Sequence, residues 1–428
     1  MFKLKSIEVN GFWQTKKASA QFRDDVNIII GKNGTGKTTF MNIAHAVLTV
    51  DTEALYENNF KSVTLILSDG KRTRTIRADR KESKNLSFPI IEYHISNRRF
   101  VALLIGNEDG RTMGLSIKRR AAEESTKIKI ELNKIVAVAS LSVYRIGGET
   151  DPELRERMPR RLASTVDLRL LSLMQKLTQY QLELSNEARD ISTQLQRDVL
   201  TSLLYTKEKG LNQGYNLDFD EATERRNLIS AYQQLGVSGS EVAKKIQEHI
   251  SAVGKTIKDL RFGSGSNSSK KQNPSTSTPV DVAALEAFKL TSAVIEKSLA
   301  AEEKIKSIFS QPESFKLILK EFIPDKSFAF SGGELVVKTE GDIPMVKLSS
   351  GEKQLLILFI EALLQRRKPY IFLADEPELS LHILWQRNII SAIRDLNPNA
   401  QIVVATHSPE IAGKFRAALM DMESILHG

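Results

Sequence analysis

Leu348-Ser349-Ser350-Gly351-Glu352-Lys353-Gln354 stands about twenty residues ahead of an apolar run that ends in Asp375-Glu376-Pro377. A serine-glycine turn opening a helix, then a buried strand ending in two carboxylates, sets an anion-binding helix terminus beside an acidic strand end. Far upstream, Gly31-Lys32-Asn33-Gly34-Thr35-Gly36-Lys37-Thr38 has the spacing of a phosphate-cradling loop. Downstream, Ala405-Thr406-His407-Ser408-Pro409 closes another short apolar strand. The four elements in this order predict an α/β chain with a P-loop core, in which a mixed sheet with helices is joined to an antiparallel lobe.

The chain has 428 residues, enough for one large domain or two smaller ones. It has no cysteine, which excludes a disulfide framework, a cysteine zinc site and a thiol nucleophile, and fits a reducing compartment. Met1-Phe2-Lys3-Leu4-Lys5 reads as a charged strand rather than a signal peptide, and no apolar run approaches the ~20 residues of a membrane span. The expectation is a cytoplasmic protein with no membrane segment. Net charge is +9, with basic clusters at 71–81, Arg98-Arg99, Lys118-Arg119-Arg120 and 155–161. These fit either an attractive surface for nucleic acid or an acidic protein, or an ordinary lysine-rich surface.

Residues 1–140 read as strands and hairpins around one helix. Leu4, Ile7 and Val9 mark a strand, Val26–Ile30 a buried strand, and Thr38 to about Leu48 a helix. Val63, Leu65 and Leu67, then Asp69-Gly70, then Thr73–Ile76 spell a hairpin. Leu170, Leu177, Leu184 and Ile191 fall one heptad apart, with Leu173 and Tyr180 at the matching positions. They suit a helical hairpin or short coiled coil, or a plain amphipathic helix on the core. A second helical stretch covers 221–260, broken near Gly236-Val237-Ser238-Gly239, and helix returns over 282–309. The Ser/Gly/Asn-rich segment 263–280 reads as a flexible loop. Ser327–Lys338 reads as strands joined at Gly332-Gly333. No internal repeat is evident. The expected division is an N-terminal part over 1–150, a helical insertion over 151–312, and a C-terminal part over 313–428.

In the loop, glycines let backbone N–H groups reach phosphate oxygens without a Cβ in the way. Lys37 would reach the β- and γ-phosphates of a nucleotide and the Thr38 hydroxyl would bind Mg²⁺. Asp375 would hold Mg²⁺, and Glu376 is placed to take a proton from an attacking water. His407, at a strand end, would contact the γ-phosphate or that water. Ser349 at its helix start would form an anion site with no phosphate to bind in its own subunit; a simple N-cap role is compatible. Glu378–His382 should line a subunit seam.

These motifs resemble the RecF/SMC/OLD-like branch of ABC ATPases rather than the transporters, over roughly 1–145 and 315–420. The resemblance implies an ABC-type ATPase split by a coiled-coil-like insertion. Asn33, Gly34, Thr35, Gly36, Lys37, Thr38 and Thr39 would bind ATP, with Thr38 and Asp375 on the metal. Glu376 and His407 would be catalytic. Ser349, Gly351 and Glu352 would act on the partner's ATP across an ATP-sandwich dimer, or a multiple of dimers.

Departures from the branch narrow the expectation. A zinc hook is impossible without cysteine, and SMC proteins need far longer coiled coils. The chain ends about twenty residues beyond His407, with no TOPRIM nuclease after it. No glutamine lies between Gln21 and Gln175, so the usual Mg²⁺-sensing glutamine is missing or replaced, which implies slow hydrolysis. The chain then resembles the stand-alone OLD-like ATPases of anti-phage systems, the PARIS ATPase subunit first and the Septu ATPase next. That implies a sensor controlling a separate nuclease, TOPRIM-type or else HNH-type, and triggered by a phage product such as an acidic DNA mimic. A RecF-like DNA clamp in repair and a non-turnover ATP-dependent scaffold are the alternatives.

Overall fold

The computed structural model describes residues 1–82, 88–104, 115–142, 164–202, 219–263, 281–338 and 342–427. The chain forms two compact units, Met1–Tyr180 with Gln311–Gly428, and Gln181–Ser310. The expected flexible loop and the basic stretch 155–161 lie outside the described residues, apart from Gly263, which ends a helix.

Fifteen described strands run in chain order: β1 (Lys3–Phe12), β2 (Lys16–Gln21), β3 (Val26–Ile30), β4 (Ser62–Ser68), β5 (Thr73–Lys81), β6 (Ile90–Ile95), β7 (Arg98–Leu103) and β8 (Val138–Ser142) precede the insertion. After it come β9 (Ser327–Ser331), β10 (Glu334–Lys338), β11 (Asp342–Ile343), β12 (Tyr370–Asp375), β13 (Ala400–Ala405), β14 (Leu419–Asp421) and β15 (Leu426–His427). The antiparallel sheet has the order β15-β2-β1-β4-β5-β6-β7, and the parallel sheet β14-β3-β13-β12-β8. A small hairpin sheet joins β9, β10 and β11. In the parallel sheet β3 sits between β13 and β14, so strands from the two ends of the chain alternate there.

In β1 the residues facing the core are Leu4, Ile7, Val9 and Phe12, which strict alternation does not give. Pairing shifts between Leu4 and Ser6 and between Asn10 and Phe12 re-phase the strand, so all four reach one face. The helix Lys37–Thr49 buries Phe40, Ile43, Ala44 and Val47 in the same core as Ile7 and Val63 of the antiparallel sheet and Ile371 and Val403 of the parallel one. That helix therefore takes its position from both sheets.

The expected β4–β5 hairpin forms around Asp69, whose carboxylate accepts the Lys71 and Arg72 N–H groups. The N-terminal part holds more than one helix. Leu115–Asn133 is helical and buries Ala121, Ile128 and Leu132, a sparse stripe that its many charged residues hide from the sequence pattern. Several cations of the basic stretches are engaged locally: Arg77 pairs with Asp79, Lys81 and Arg99 with Glu92, and Arg80 donates to the Asn58 carbonyl.

The helix expected over 282–309 continues through Pro312 to Phe322. An interior proline costs a helix about 3 kcal/mol. Here Phe315 and Leu319 are fully buried, Phe322 stacks edge-on against Phe359, and the Phe322 carbonyl accepts the Trp385 indole N–H, which offsets that cost. The heptad face Leu170–Tyr180 of the helix Thr165–Ser202 is buried within the first unit, as an amphipathic helix start. In the second unit, Leu195 and Val199 pack with Ala231, Val294 and Ala301, and Leu228 with Ile246, Ile250 and Ile295. The insertion is therefore built of helices, with Glu221–Gln234 and Ser240–Gly263 separated at Gly236 and Gly239 as expected.

Candidate functional site

The helix Lys37–Thr49 begins at Gly36, which stands at φ 94°. A Cβ there would lie 2.9 Å from the Trp13 ring, so both conformation and space require glycine. No side chain caps this helix and no acidic residue sits in its first turn, which leaves its positive end open to an anion. Lys37 is 4 % exposed, and its ammonium donates to the Gly31 and Lys32 carbonyls at 2.9 and 3.2 Å. Burial pushes its pKa down, while the charges of Glu376, Asp375 and Glu378 oppose that fall.

The carboxylates arrive on β12, whose six residues are all buried and whose Asp375 pairs in register with Ala405 of β13. Burial raises the Asp375 pKa; the Thr38 hydroxyl bonded to it pulls the other way, and the neighbouring Glu376 and Glu378 charges add to the rise. Asp375 Oδ1 is buried with no hydrogen-bond partner. A buried orphan carboxylate oxygen beside a threonine hydroxyl is a donor set that suits a hard oxygen-seeking cation such as Mg²⁺. Among the described residues no group of three or more His, Asp or Glu could cage a metal, so phosphate and water would complete such a site.

Glu376 turns into the left-handed region at φ 47°, held by its N–H bond to the Ala405 carbonyl at 2.8 Å. Its Oε1 lies 3.5 Å from His407 Nε2. A cleft of about 300 Å³ is lined by Trp13, Asn33, Gly34, Gly36, Lys37, Thr38, Thr39, Glu376 and His407. The fold thus brings together the residues expected from the loop and the two strand ends. Thr35 instead braces the loop, its hydroxyl donating to the Lys32 carbonyl.

Two further residues belong to the surroundings of the cleft. Trp13, at φ 50°, lines the cleft and tilts against Phe12 at 4.9 Å; its only sequence signal was an aromatic pair, Phe12-Trp13, after Gly11. Glu378, expected at a subunit seam, is bonded within its own chain: its Oε1 accepts the Thr406 hydroxyl at 2.6 Å and the His407 and Ser408 N–H groups at 2.8 and 3.1 Å. Ser408 caps the helix Pro409–Gly413 and donates to Gln386 Oε1 at 2.7 Å.

Ser349, Gly351 and Glu352 are not among the residues lining this cleft. Ser349 and Glu352 form a reciprocal capping box at the start of the helix Ser350–Leu364, with Lys326 paired to Glu352 at 2.7 Å. Gly351 packs against the loop after β12, where a Cβ would fall 2.5 Å from the Ser380 carbonyl oxygen. Lys353 pairs with Asp167 at 2.8 Å and Arg169 with Glu361, so this helix is tied to the start of the helix Thr165–Ser202.

The "Retron Vc95 probable ATPase" of Vibrio cholerae serotype O1 biovar El Tor is 21% identical over 400 residues, 90% of this chain and 66% of that protein. The chain thus spans just under two thirds of that relative's length. The "Septu protein PtuA" of Bacillus thuringiensis is 34% identical over 122 residues, 24% of this chain and 31% of that one. Among solved structures, the Pyrococcus furiosus Smc head domain with an extended coiled coil, bound to the C-terminal domain of ScpA, aligns with 98% of this chain and 93% of that one. Its TM-score is 0.43 at 14% identity. The profile of the AAA ATPase domain matches residues 2–412, nearly the whole chain: the protein belongs to the AAA ATPase domain family.

Proposed function

We propose that the cleft binds and hydrolyses ATP. The observation that carries this is the meeting in one cleft of an uncapped helix terminus, the buried Lys37, and the Glu376–His407 pair at 3.5 Å. Asn33 to Thr39 wrap the phosphates with backbone N–H groups, and Lys37 exchanges its loop carbonyls for phosphate oxygens. Trp13 offers its ring to the base. Thr38 and Asp375 would hold Mg²⁺, which would offset phosphate charge when bound. Glu376 accepts the proton of the attacking water, and His407 orients that carboxylate or the γ-phosphate.

Ser349 sits exposed at a helix start outside its own cleft, which supports an ATP-sandwich dimer where it donates to the partner's γ-phosphate. The retron and Septu relatives, with the motif resemblance to the PARIS ATPase, support an OLD-like sensor subunit of an anti-phage system. It acts on a separate nuclease in the cytoplasm, with slow turnover. Purified protein should hydrolyse ATP slowly and Glu376→Gln should abolish turnover while retaining ATP. Wild-type turnover by Glu376→Gln would remove the base assignment. Tagged protein expressed with its operon neighbours should retain a small nuclease. A lone dimer carrying nucleic acid would shift the role to a DNA clamp.

A further inference from the structure

We infer that Glu378 is the positioning residue that fixes where the His407 imidazole stands against Glu376. The inference rests on the ATPase reading above and extends it to a residue which the motif resemblance places only at a seam. The ladder between β12 and β13 ends at Asp375 and Ala405, with one further bond from the Glu376 N–H to the Ala405 carbonyl. On the other side of β13 the Thr406 N–H still reaches the Ile29 carbonyl of β3 at 3.1 Å, but the His407 N–H goes to no strand and instead donates to Glu378.

Three donors from Thr406, His407 and Ser408 converge on a single oxygen, Glu378 Oε1. The anchor is itself held, since the Glu378 carbonyl accepts the Leu381 N–H at 2.9 Å. Gln386 reaches the Leu381 carbonyl with its amide nitrogen and the Ser408 hydroxyl with its oxygen. A carboxylate three residues past Asp375 therefore ties the β12 exit to the β13 exit, the two places from which Glu376 and His407 project. Reacting groups misplaced by ~1 Å lose about a hundredfold in rate, so such a tie is felt in turnover rather than in nucleotide affinity.

The test is a cycle of Glu378→Ala and His407→Ala, reading kcat, nucleotide affinity, and amide exchange over 405–408. The expected result is a ~30–100-fold fall in kcat for Glu378→Ala with affinity within ~3-fold. A further loss below ~3-fold is expected in the His407→Ala background, and Glu378→Ala should speed exchange of the His407 amide above all, with Thr406, held by the Ile29 carbonyl, as the internal control. Equal losses in both backgrounds, an unchanged kcat, or unchanged exchange would each overturn the inference. Should Glu378→Ala fail to fold, Thr406→Val leaves the carboxylate and removes the hydroxyl that donates to it and accepts the Ser408 N–H; it should lower kcat by ~3–10-fold with the same non-additivity. A wild-type protein without turnover sinks the ATPase reading instead, and the exchange measurement then decides Glu378 alone.

Discussion

Gly351→Ala should destabilise the catalytic unit even though alanine is the better helix former. The added Cβ would lie 2.5 Å from the Ser380 carbonyl oxygen and 3.3 Å from the Trp385 ring. Real Cβ contacts stay beyond 3.0 Å, so the helix start or the Ser380 backbone must give by about half an ångström. Neither is free to do so. Ser380 already stands at φ 66°, and the helix start is fixed by its capping box and by the Lys326–Glu352 pair. Overpacking of this kind costs ~1–3 kcal/mol, which is roughly 2–5 °C in Tm for a unit of this size. Thermal and urea unfolding would measure it, with Gly413→Ala as control, since a Cβ there meets nothing within 4 Å. Equal Tm values for the two variants would refute the reasoning, because the close approach to Ser380 would then be soft. ATP turnover should fall with Gly351→Ala as well, since the same shift moves the chain leaving Glu376.

Lys37→Ala should weaken ATP binding at least ~100-fold, about 2.7 kcal/mol, by fluorescent-nucleotide titration; affinity within threefold of wild type would remove Lys37 from the site. Trp13→Ala should raise the KM for ATP by about tenfold, roughly 1.4 kcal/mol, with inhibition by inorganic triphosphate unchanged. Loss of both would mean the tryptophan supports the loop rather than the base. Asp375→Asn should raise the Tm of the nucleotide-free protein while abolishing turnover. A carboxylate whose folded pKa is raised binds its proton more tightly when folded. Its penalty on folding is therefore complete above the raised folded value and gone below the ordinary one. The Tm gap between Asp375→Asn and wild type should accordingly be present at pH 7 and close as pH falls toward the usual carboxylate range; a gap that widens on acidification would contradict the burial of an ionised Asp375.

Much of the site was legible because each motif pairs a fixed spacing with an obligatory element. Val26–Ile30 could only be a buried strand, and glycines at 31, 34 and 36 only a loop opening a helix. The two acidic residues after Tyr370–Ala374 could only sit at a strand end. What stayed hidden depends on chain reversal. Glu378 is placed by the left-handed turn at Glu376 and by donors that lie nearly thirty residues later, which no local pattern encodes. Trp13 enters the cleft because β1 is re-phased and Gly36 makes room, both tertiary facts. The helix Leu115–Asn133 is too charged to announce itself, and Phe322 overrides Pro312 only through packing.

The place of β3 between β13 and β14 has a consequence for how the protein is made. The phosphate loop leaves the ribosome long before the strands on either side of its own strand, which lie near residues 400 and 420. At ordinary elongation rates roughly 20–80 s separate the loop from Asp421. Through that interval a nascent chain carries the loop on a strand with neither neighbour, while the helices of the insertion, rich in local contacts, can already form. Nucleotide capture would then report that translation has passed β13, and a chain stopped short of it would be left with an apolar strand bare on both edges, a ready target for chaperones and proteases.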